Sequence, residues 1–365
     1  AGRVPATRSI PTPDALLPSP PRTSRRLPRH HPRPDPETGV SVPSDRVGVV
    51  LIGRNEGARL VDALAAAGAQ AGRMVYVDSG STDGSVAAAR SAGAAVVALD
   101  LSVPFTAARA RNEGLARLLR DGPLDYVQFV DGDCALQPGW IDTARRFLDD
   151  RPGAAVAHGR RRERFPEATI YNRLCDWEWD RPPGQARACG GDAMMRVSAF
   201  EEVGGFDPGL IAGEEPELCV RLRAAGWEIW CLDAEMTLHD AAMTRFSQFW
   251  RRARRAGHAY AEGAAMHGAP PERHGVAGRD RALVWGAGLP LAILLLSLAH
   301  PAFLLAALIY PAQIARIAMI QGPSGRDGWL RASFMTIAKF PQAQGVLSYA
   351  FDRLRGRKAR LIEYK

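Results

Sequence analysis

From Arg46 onward one pattern constrains the fold more than any other feature of the chain. Short β-branched runs end in polar loops, and segments of helical composition stand between them. "RVGVVLIGRNEG", "GRMVYVDSGSTDGS", "AAVVALDL" and "YVQFVDGD" read as strands. "VDALAAAGAQA", "VAAARSAGA" and "TAARARNEGLARLLRDG" read as helices. The strands are apolar on both faces, which marks an α/β fold, a mostly parallel sheet flanked by helices. In open sheets of this kind ligands bind beyond the carboxyl ends of the strands, where these polar loops lie. "GAAVAHGRRRERF" reads as a further strand, and 190–240 as strand, short helix, Gly-rich loop, helix and strand. "EPELCVRLRAAG" sets Leu218, Cys219 and Leu222 on one helical face, with Gly226 as the stop.

Three of the loops after strands carry acids: Asn55-Glu56, Asp78 with Asp83, and Asp131 with Asp133. Singly these are ordinary turn residues. On one edge of a parallel sheet they form a negatively charged cleft. Asp131 and Asp133 would each raise the other's pKa unless a positive group stands between them. A hard divalent cation, Mg²⁺ or Mn²⁺, carrying a diphosphate suits such a cleft, because it takes carboxylate and phosphate oxygens.

The ordered set "VVLIGRNEG", "VYVDSGSTDGS", "ARARNEG", "FVDGD" and "GGFDPGLIAGEEPELCVRLRAAGW" resembles the family 2 inverting glycosyltransferases, over about residues 46–240. The resemblance implies a GT-A nucleotide-sugar-binding fold. It implies that Asn55 and Glu56 lie near the nucleoside and that Asp78 bonds the base. Ser79 stands where many members have a second Asp, and Ser81, Thr82 and Asp83 complete that loop. Arg111 and Asn112 would approach the base or phosphates. Asp131-Gly132-Asp133 matches the DxD motif, in which Asp133 ligates the metal and Asp131 contacts the ribose or the metal's water shell. Glu215 takes the place of the family's Asp general base, with Glu214 as its rival. The same acids, ahead of Pro216, also suit a helix N-terminus. His239 in "MTLHD" would complete the metal site. Gly190-Gly191-Asp192 and Gly204-Gly205-Phe206-Asp207 look like acceptor-side loops. Trp177, Trp179 and Trp227 would either stack on sugar rings or serve in packing.

The function so implied is metal-dependent, inverting transfer of a sugar from a UDP- or GDP-linked donor. The acceptor would be a lipid-linked or polysaccharide hydroxyl. A nucleotidyltransferase of similar fold is the rival enzyme, but no GxGxR-like loop follows the first strand. A non-catalytic scaffold of a polysaccharide assembly complex is the other alternative, and intact Asp131, Asp133 and Glu215 speak against it. A processive synthase lacks support, since there is no Gln-x-x-Arg-Trp.

The net charge of +8 calls for an anionic partner, and its placement selects which one. Residues 1–45 read as a disordered Pro/Arg-rich tail without the apolar core of a signal peptide. Residues 246–280 read as a basic-aromatic interfacial helix and linker after a catalytic domain at 46–245. Within 281–320, Ala282–Ala299 and Ala302–Ile320 hold no acid and one basic residue, Arg316. Each is near the ~20 residues of a membrane span, and His300-Pro301 divides them into a helical hairpin that spans the bilayer or re-enters it, the alternative being a hairpin buried in a protein core. Residues 321–365 read as a basic amphipathic segment. Basic residues on both flanks place both ends of the hairpin, and the catalytic domain, on the cytoplasmic side of the inner (plasma) membrane. A membrane explains this distribution better than nucleic acid does. Five cysteines without CxxC spacing read as reduced thiols.

Overall fold

The computed structural model describes residues 46–320 and 325–357; the expected tail at 1–45 and the last residues of the C-terminal segment lie outside them. The strands are β1 (Val47–Gly53), β2 (Arg73–Asp78), β3 (Ala95–Ala98), β4 (Tyr126–Asp131), β5 (Cys134–Leu136), β6 (Ala154–Glu163), β7 (Gly184–Ala186), β8 (Ala193–Arg196) and β9 (Glu228–His239). They form one sheet in the order β3-β2-β1-β4-β8-β6-β9-β5, with β7 also paired to β9.

The first four strands in that order are mutually parallel, as the alternating pattern predicts. Beyond β4 the sheet becomes mixed: β8 runs antiparallel to β4 and β6, β9 runs parallel to β6, and β5 and β7 run antiparallel to β9. This departure from a mostly parallel sheet has a consequence at the edge where ligands bind. An antiparallel β8 brings its beginning, beside Asp192, to the carboxyl end of β4, with Phe129 opposite Ala193. β9 ends where both Glu163 and Cys134 stand opposite His239.

Helices α1 (Ala58–Gly68), α2 (Ser85–Ser91), α3 (Ala107–Arg120), α4 (Trp140–Asp150), α5 (Ile170–Trp179), α6 (Val197–Glu202), α7 (Glu214–Ala224) and α8 (Phe246–His267) follow in chain order. Two cores form, one on each sheet face. Val50, Val77, Leu115, Leu118 and Phe129 bury one with α3. Val49, Leu51, Leu60, Leu64 and Trp140 bury the other with α1 and α4. The alternation Val49/Val50 onto opposite faces is the two-residue period of a strand covered on both sides. Thr106 caps α3, its Oγ1 accepting from the Arg109 N–H at 3.1 Å.

Beyond the sheet, α8 packs along a helix at Lys339–Leu354. Glycines permit the approach: a Cβ at Gly257 would stand 2.0 Å from the Gln342 carbonyl oxygen, and one at Gly345 2.1 Å from that of Arg254. Two helices, Val276–Ala299 and Pro301–Ile320, are long and apolar enough to cross a membrane. The first begins earlier than its apolar run and contains a π-helical turn at Val284–Gly288; the second opens with a 3₁₀ stretch at Pro301–Leu308. Leu295, Leu298, Leu304 and Leu305 lie exposed on them.

Gly114 of α3 is the point of closest approach to the sheet. A Cβ there would meet Val50 Cγ1 at 2.4 Å and Val77 Cγ2 at 3.0 Å. Overpacking of that kind costs about 1–3 kcal/mol, more than the gain in helix propensity from Gly to Ala. Gly114→Ala should therefore lower the thermal midpoint of the detergent-solubilised chain, read by circular dichroism; an unchanged or higher midpoint would show that α3 can retreat freely.

Candidate active site

The carboxyl ends of β4, β6 and β9 and the start of α7 converge on one cluster of charge. Its centre is Arg111 of α3, whose side chain is 2% exposed. Nη1 lies 2.9 Å from Glu214 Oε1 and 2.9 Å from Glu215 Oε1, and Nη2 donates to Asp131 Oδ1 at 2.8 Å. The guanidinium also lies over the Phe206 ring, 5.6 Å from its centroid. Burial disfavours its charge, but Glu215, Asp131 and Glu214 more than offset this and hold it firmly protonated.

Asp131 is pinned from three sides. Its second oxygen accepts from Arg161 Nη2 at 2.9 Å, and its backbone N–H donates to Asp192 Oδ1 at 2.9 Å. Asp192, expected on the acceptor side, is buried. It accepts from Arg161 Nε at 2.9 Å and from the Thr237 hydroxyl at 2.8 Å, so its carboxylate braces Asp131 from within. Gly191 beside it must lack a side chain: a Cβ would lie 2.6 Å from Arg111 Nη2 and 2.9 Å from Asp131 Oδ2.

Asp133 faces a different partner. Its Oδ2 lies 3.2 Å from His239 Nε2, and the Cys134 thiol donates to its Oδ1 at 3.5 Å. The other ring nitrogen of His239, Nδ1, lies 3.1 Å from Glu163 Oε2. Of the two contacts the one to Glu163 has hydrogen-bond geometry, which favours the tautomer with the proton on Nδ1. Burial, opposed by Glu163 and reinforced by Arg161, sets the imidazole's pKa below the ordinary histidine value. A neutral ring in this orientation turns the Nε2 lone pair toward the Asp133 carboxylate. In that tautomer Nε2 and the Asp133 carboxylate stand where one cation could take both as ligands. Glu163 is itself held by the Ala241 N–H at 3.2 Å and by Asn172 Nδ2 at 3.2 Å. Ligand atoms of Asp133, Cys134 and His239 lie within 4.8 Å of one another.

The two acids at the start of α7 differ in access. Glu214 has 4% of its side chain exposed and Glu215 13%. Burial, and after it the neighbouring Glu214, push the Glu215 carboxyl up to about 7, with Arg111 pulling the other way. Of the pair, Glu215 has both the access and the affinity of a base working near neutral pH. The helix start is also served, because Glu214, Glu215 and Glu217 stand in the first turn of α7.

The donor-side loops are knitted to one another. Asn55 sits at φ +57°, in the left-handed region that asparagine tolerates. It accepts from the Thr82 N–H at 2.7 Å and donates its own N–H to Ser81 Oγ at 2.9 Å. Asp78 Oδ2 accepts from the Gly80 and Ser81 N–H groups at 3.0 Å each, and its Oδ1 accepts from the Tyr76 hydroxyl. Asp83 Oδ1 accepts from the Ser85 N–H ahead of α2, and hydrogen bonds from the Ser85 hydroxyl and then its N–H lower the Asp83 pKa. Ser79 donates its N–H to the Gly53 carbonyl, and Glu56 pairs with Arg59 at 2.8 Å. Asn112 departs from the expectation of a base or phosphate contact. Its amide is spent on both backbone groups of Phe206, at 2.8 and 3.0 Å, and so fixes the Gly204–Asp207 loop. Trp179, rather than Trp177, stands at the cluster, its ring edge-on to His239 with centroids 4.5 Å apart and Arg161 above it at 5.0 Å.

Arg161, Glu163 and Cys134 were not singled out from the sequence. The run Arg160-Arg161-Arg162-Glu163 at the end of an apolar strand is a signal for the first two, since charge at a strand end faces the binding edge. Nothing local distinguishes Cys134.

Residues 49–204 match the family described as Glycosyl transferase family 2. The pre-mycofactocin glycosyltransferase of Mycobacterium tuberculosis is 30% identical over 236 residues, 58% of this chain and 45% of that protein. This chain thus spans less than half the length of that curated relative. The succinoglycan biosynthesis protein ExoA of Rhizobium meliloti is 36% identical over 62 residues, 17% of this chain and 19% of that protein. A mannosyltransferase from Pyrobaculum calidifontis, solved with GDP-Man and Mn²⁺, superposes with a TM-score of 0.53 at 20% identity, over 83% of this chain and 87% of that one. At that identity the likeness establishes the fold, which is the GT-A type.

Since Arg111 holds the Glu215 pKa down, Arg111→Met should move it further up. A base must be ionised to take a proton, so turnover should rise with pH through about 7 in the native chain. In Arg111→Met the rise should come at higher pH. A pH–rate profile with the same midpoint in both proteins would remove Glu215 from the role.

Proposed function

We propose that this chain transfers a sugar, with inversion, from a nucleoside-diphosphate donor to an acceptor hydroxyl, using Mg²⁺ or Mn²⁺. The observation that carries the reading is the single guanidinium of Arg111, which joins Asp131 of the DxD motif to Glu215. A donor-binding acid and a base of raised pKa are thereby held on either side of one point. The donor set fits a divalent cation: the Asp133 carboxylate, the His239 Nε2 lone pair, and Asp131 nearby. When bound there, the ion would neutralise charge gathering on the departing diphosphate.

The chain's own residues do the rest. Asp192 and Arg161 hold Asp131 in place, and Glu163 fixes the ring orientation of His239. Glu215 takes the proton from the acceptor hydroxyl as it attacks the anomeric carbon on the face away from the leaving group. Asp78 and Asn55 keep their loops shaped for the nucleoside, through backbone bonds rather than free carboxylate oxygens. GDP-Man and Mn²⁺ in the Pyrobaculum calidifontis mannosyltransferase support a nucleoside-diphosphate-sugar donor, here UDP- or GDP-linked.

The acceptor in this reading is lipid-linked or polysaccharide, met at the inner (plasma) membrane by a cytoplasmic catalytic domain. Support comes from the two apolar helices and from α8, which carries Arg251 and Arg255 as well as Phe246 and Trp250. Five free, buried cysteines suit a reducing compartment.

Asp133→Asn should abolish Mn²⁺-dependent binding of the nucleotide donor, measured by calorimetry. Glu215→Gln should keep that binding and lose transfer by about 10²–10⁴-fold. Normal transfer by Glu215→Gln would place the base elsewhere. The full chain should stay with membranes through an alkaline carbonate wash, and Leu295→Arg with Leu305→Arg should release it. Recovery of the native chain in the soluble fraction would overturn the membrane placement.

A further inference from the structure

Cys134 belongs to the core beneath the site, yet it also turns its sulfur toward the acids of the cluster, a role the transfer reaction does not use. It is fully buried at the start of β5, directly opposite His239 in the β5–β9 pairing. Its Sγ belongs to two groups of potential ligands, one with Asp133 and His239 and one with Asp131 and Asp192. The second is already committed, because Asp192 is held by Arg161, Thr237 and the Asp131 N–H. The first is not. Its His239 is 6% exposed, tied to Glu163 through Nδ1, and aims Nε2 at Asp133.

We propose that Asp133, Cys134 and His239 form a three-ligand site for a zinc-type ion, in which the Cys134 sulfur is the ligand that sets the metal preference. The proposal rests on the metal-site reading given above and deepens it. Carboxylate, thiolate and imidazole with a fourth position open is the donor pattern of a catalytic or exchangeable zinc site. A tetrahedral ion with bonds of about 2.0–2.3 Å separates its ligand atoms by about 3.3–3.8 Å. Asp133 approaches His239 Nε2 through Oδ2 at 3.2 Å and the Cys134 sulfur through Oδ1 at 3.5 Å, and one ligand atom from each of the three residues lies within 4.8 Å of the others, so a small inward shift onto a shared ion reaches that spacing. Binding transfers the Cys134 thiol proton to solvent, and the thiolate and carboxylate together balance the two positive charges. Mg²⁺ demands near-octahedral oxygen and gains nothing from sulfur. Mn²⁺ stands below Zn²⁺ in affinity for N, O and S donors, and thiolate widens the gap. Zn²⁺ therefore occupies the site in competition with the ion that carries the donor, drawn one residue deeper toward β5.

Titration of the purified full chain with Co²⁺, a spectroscopic substitute for Zn²⁺, tests this without reference to transfer. The expected result is a near-ultraviolet sulfur-to-cobalt band that Zn²⁺ displaces. The band should survive Cys231→Ser and disappear in Cys134→Ser and Cys134→Ala. Those two variants should keep Mn²⁺ affinity, read by electron paramagnetic resonance, within about twofold. Their Zn²⁺ affinity should fall at least about tenfold, the lower end of what loss of even an outer partner costs. Absence of a sulfur band in the native chain overturns the proposal, as does a band that persists without Cys134 or Zn²⁺ affinity unchanged in both variants. If Mn²⁺ binds and no sulfur band forms, only the role of Cys134 falls. If neither Mn²⁺ nor Zn²⁺ binds the native chain, the metal-site reading itself falls.

Discussion

Arg111 is the interaction on which the site depends. A guanidinium taken out of water costs several kcal/mol unless its charge and donors are met. Here three carboxylates meet it, from the end of β4 and the first turn of α7. Loss of the guanidinium is what would undo the arrangement, since removing one side of a buried ion pair destabilises by about 3–5 kcal/mol. Gly191 is part of the same constraint, because any side chain there would occupy the space of the Arg111–Asp131 contact. The geometry of the DxD end of the site is thus set by an ion network, and the base is set by the same network.

The change of direction in the sheet makes that network possible. In a wholly parallel sheet, strand beginnings lie at the opposite edge from strand ends. Antiparallel β8 brings Asp192 to the edge where Asp131 emerges. The long β9 runs beside β6 to its end, so Glu163 and His239 meet at a single register position. Two electrostatic units result. Arg111 and Arg161 serve Asp131, while Glu163, His239 and Cys134 serve Asp133. Two neighbouring acids in sequence consequently have opposite surroundings, one bound by cations and one facing a lone pair.

The C-terminal elements are joined to this body by close helix contact rather than by a loose linker. Gly257 and Gly345 let α8 and the Lys339–Leu354 helix approach backbone to backbone. The end of α8 also reaches α7, where His267 lies 2.8 Å from Glu217. The apolar helices and the helix that bears Glu215 are therefore linked through α8.

Local pattern determined a good deal by itself. Runs such as Val47–Gly53 and Tyr126–Asp131 can only be buried strands, so the order of elements and the polar edge were legible, and the same loops supplied Asp131, Asp133, Glu215 and His239 as candidates. The long apolar runs were legible for the same reason, because twenty apolar residues have few other uses. Tertiary structure decided which acid does what. Asp192 proved to be an internal brace, Asn112 a clamp on the Phe206 turn, and Trp179 rather than Trp177 the neighbour of His239. It also brought in Arg161, Glu163 and Cys134. The physical reason is distance along the chain: Arg111 and Glu214 are 103 positions apart, and Glu163 and His239 are 76. Partnerships across such gaps are made by strand direction and register, which no local window of sequence contains.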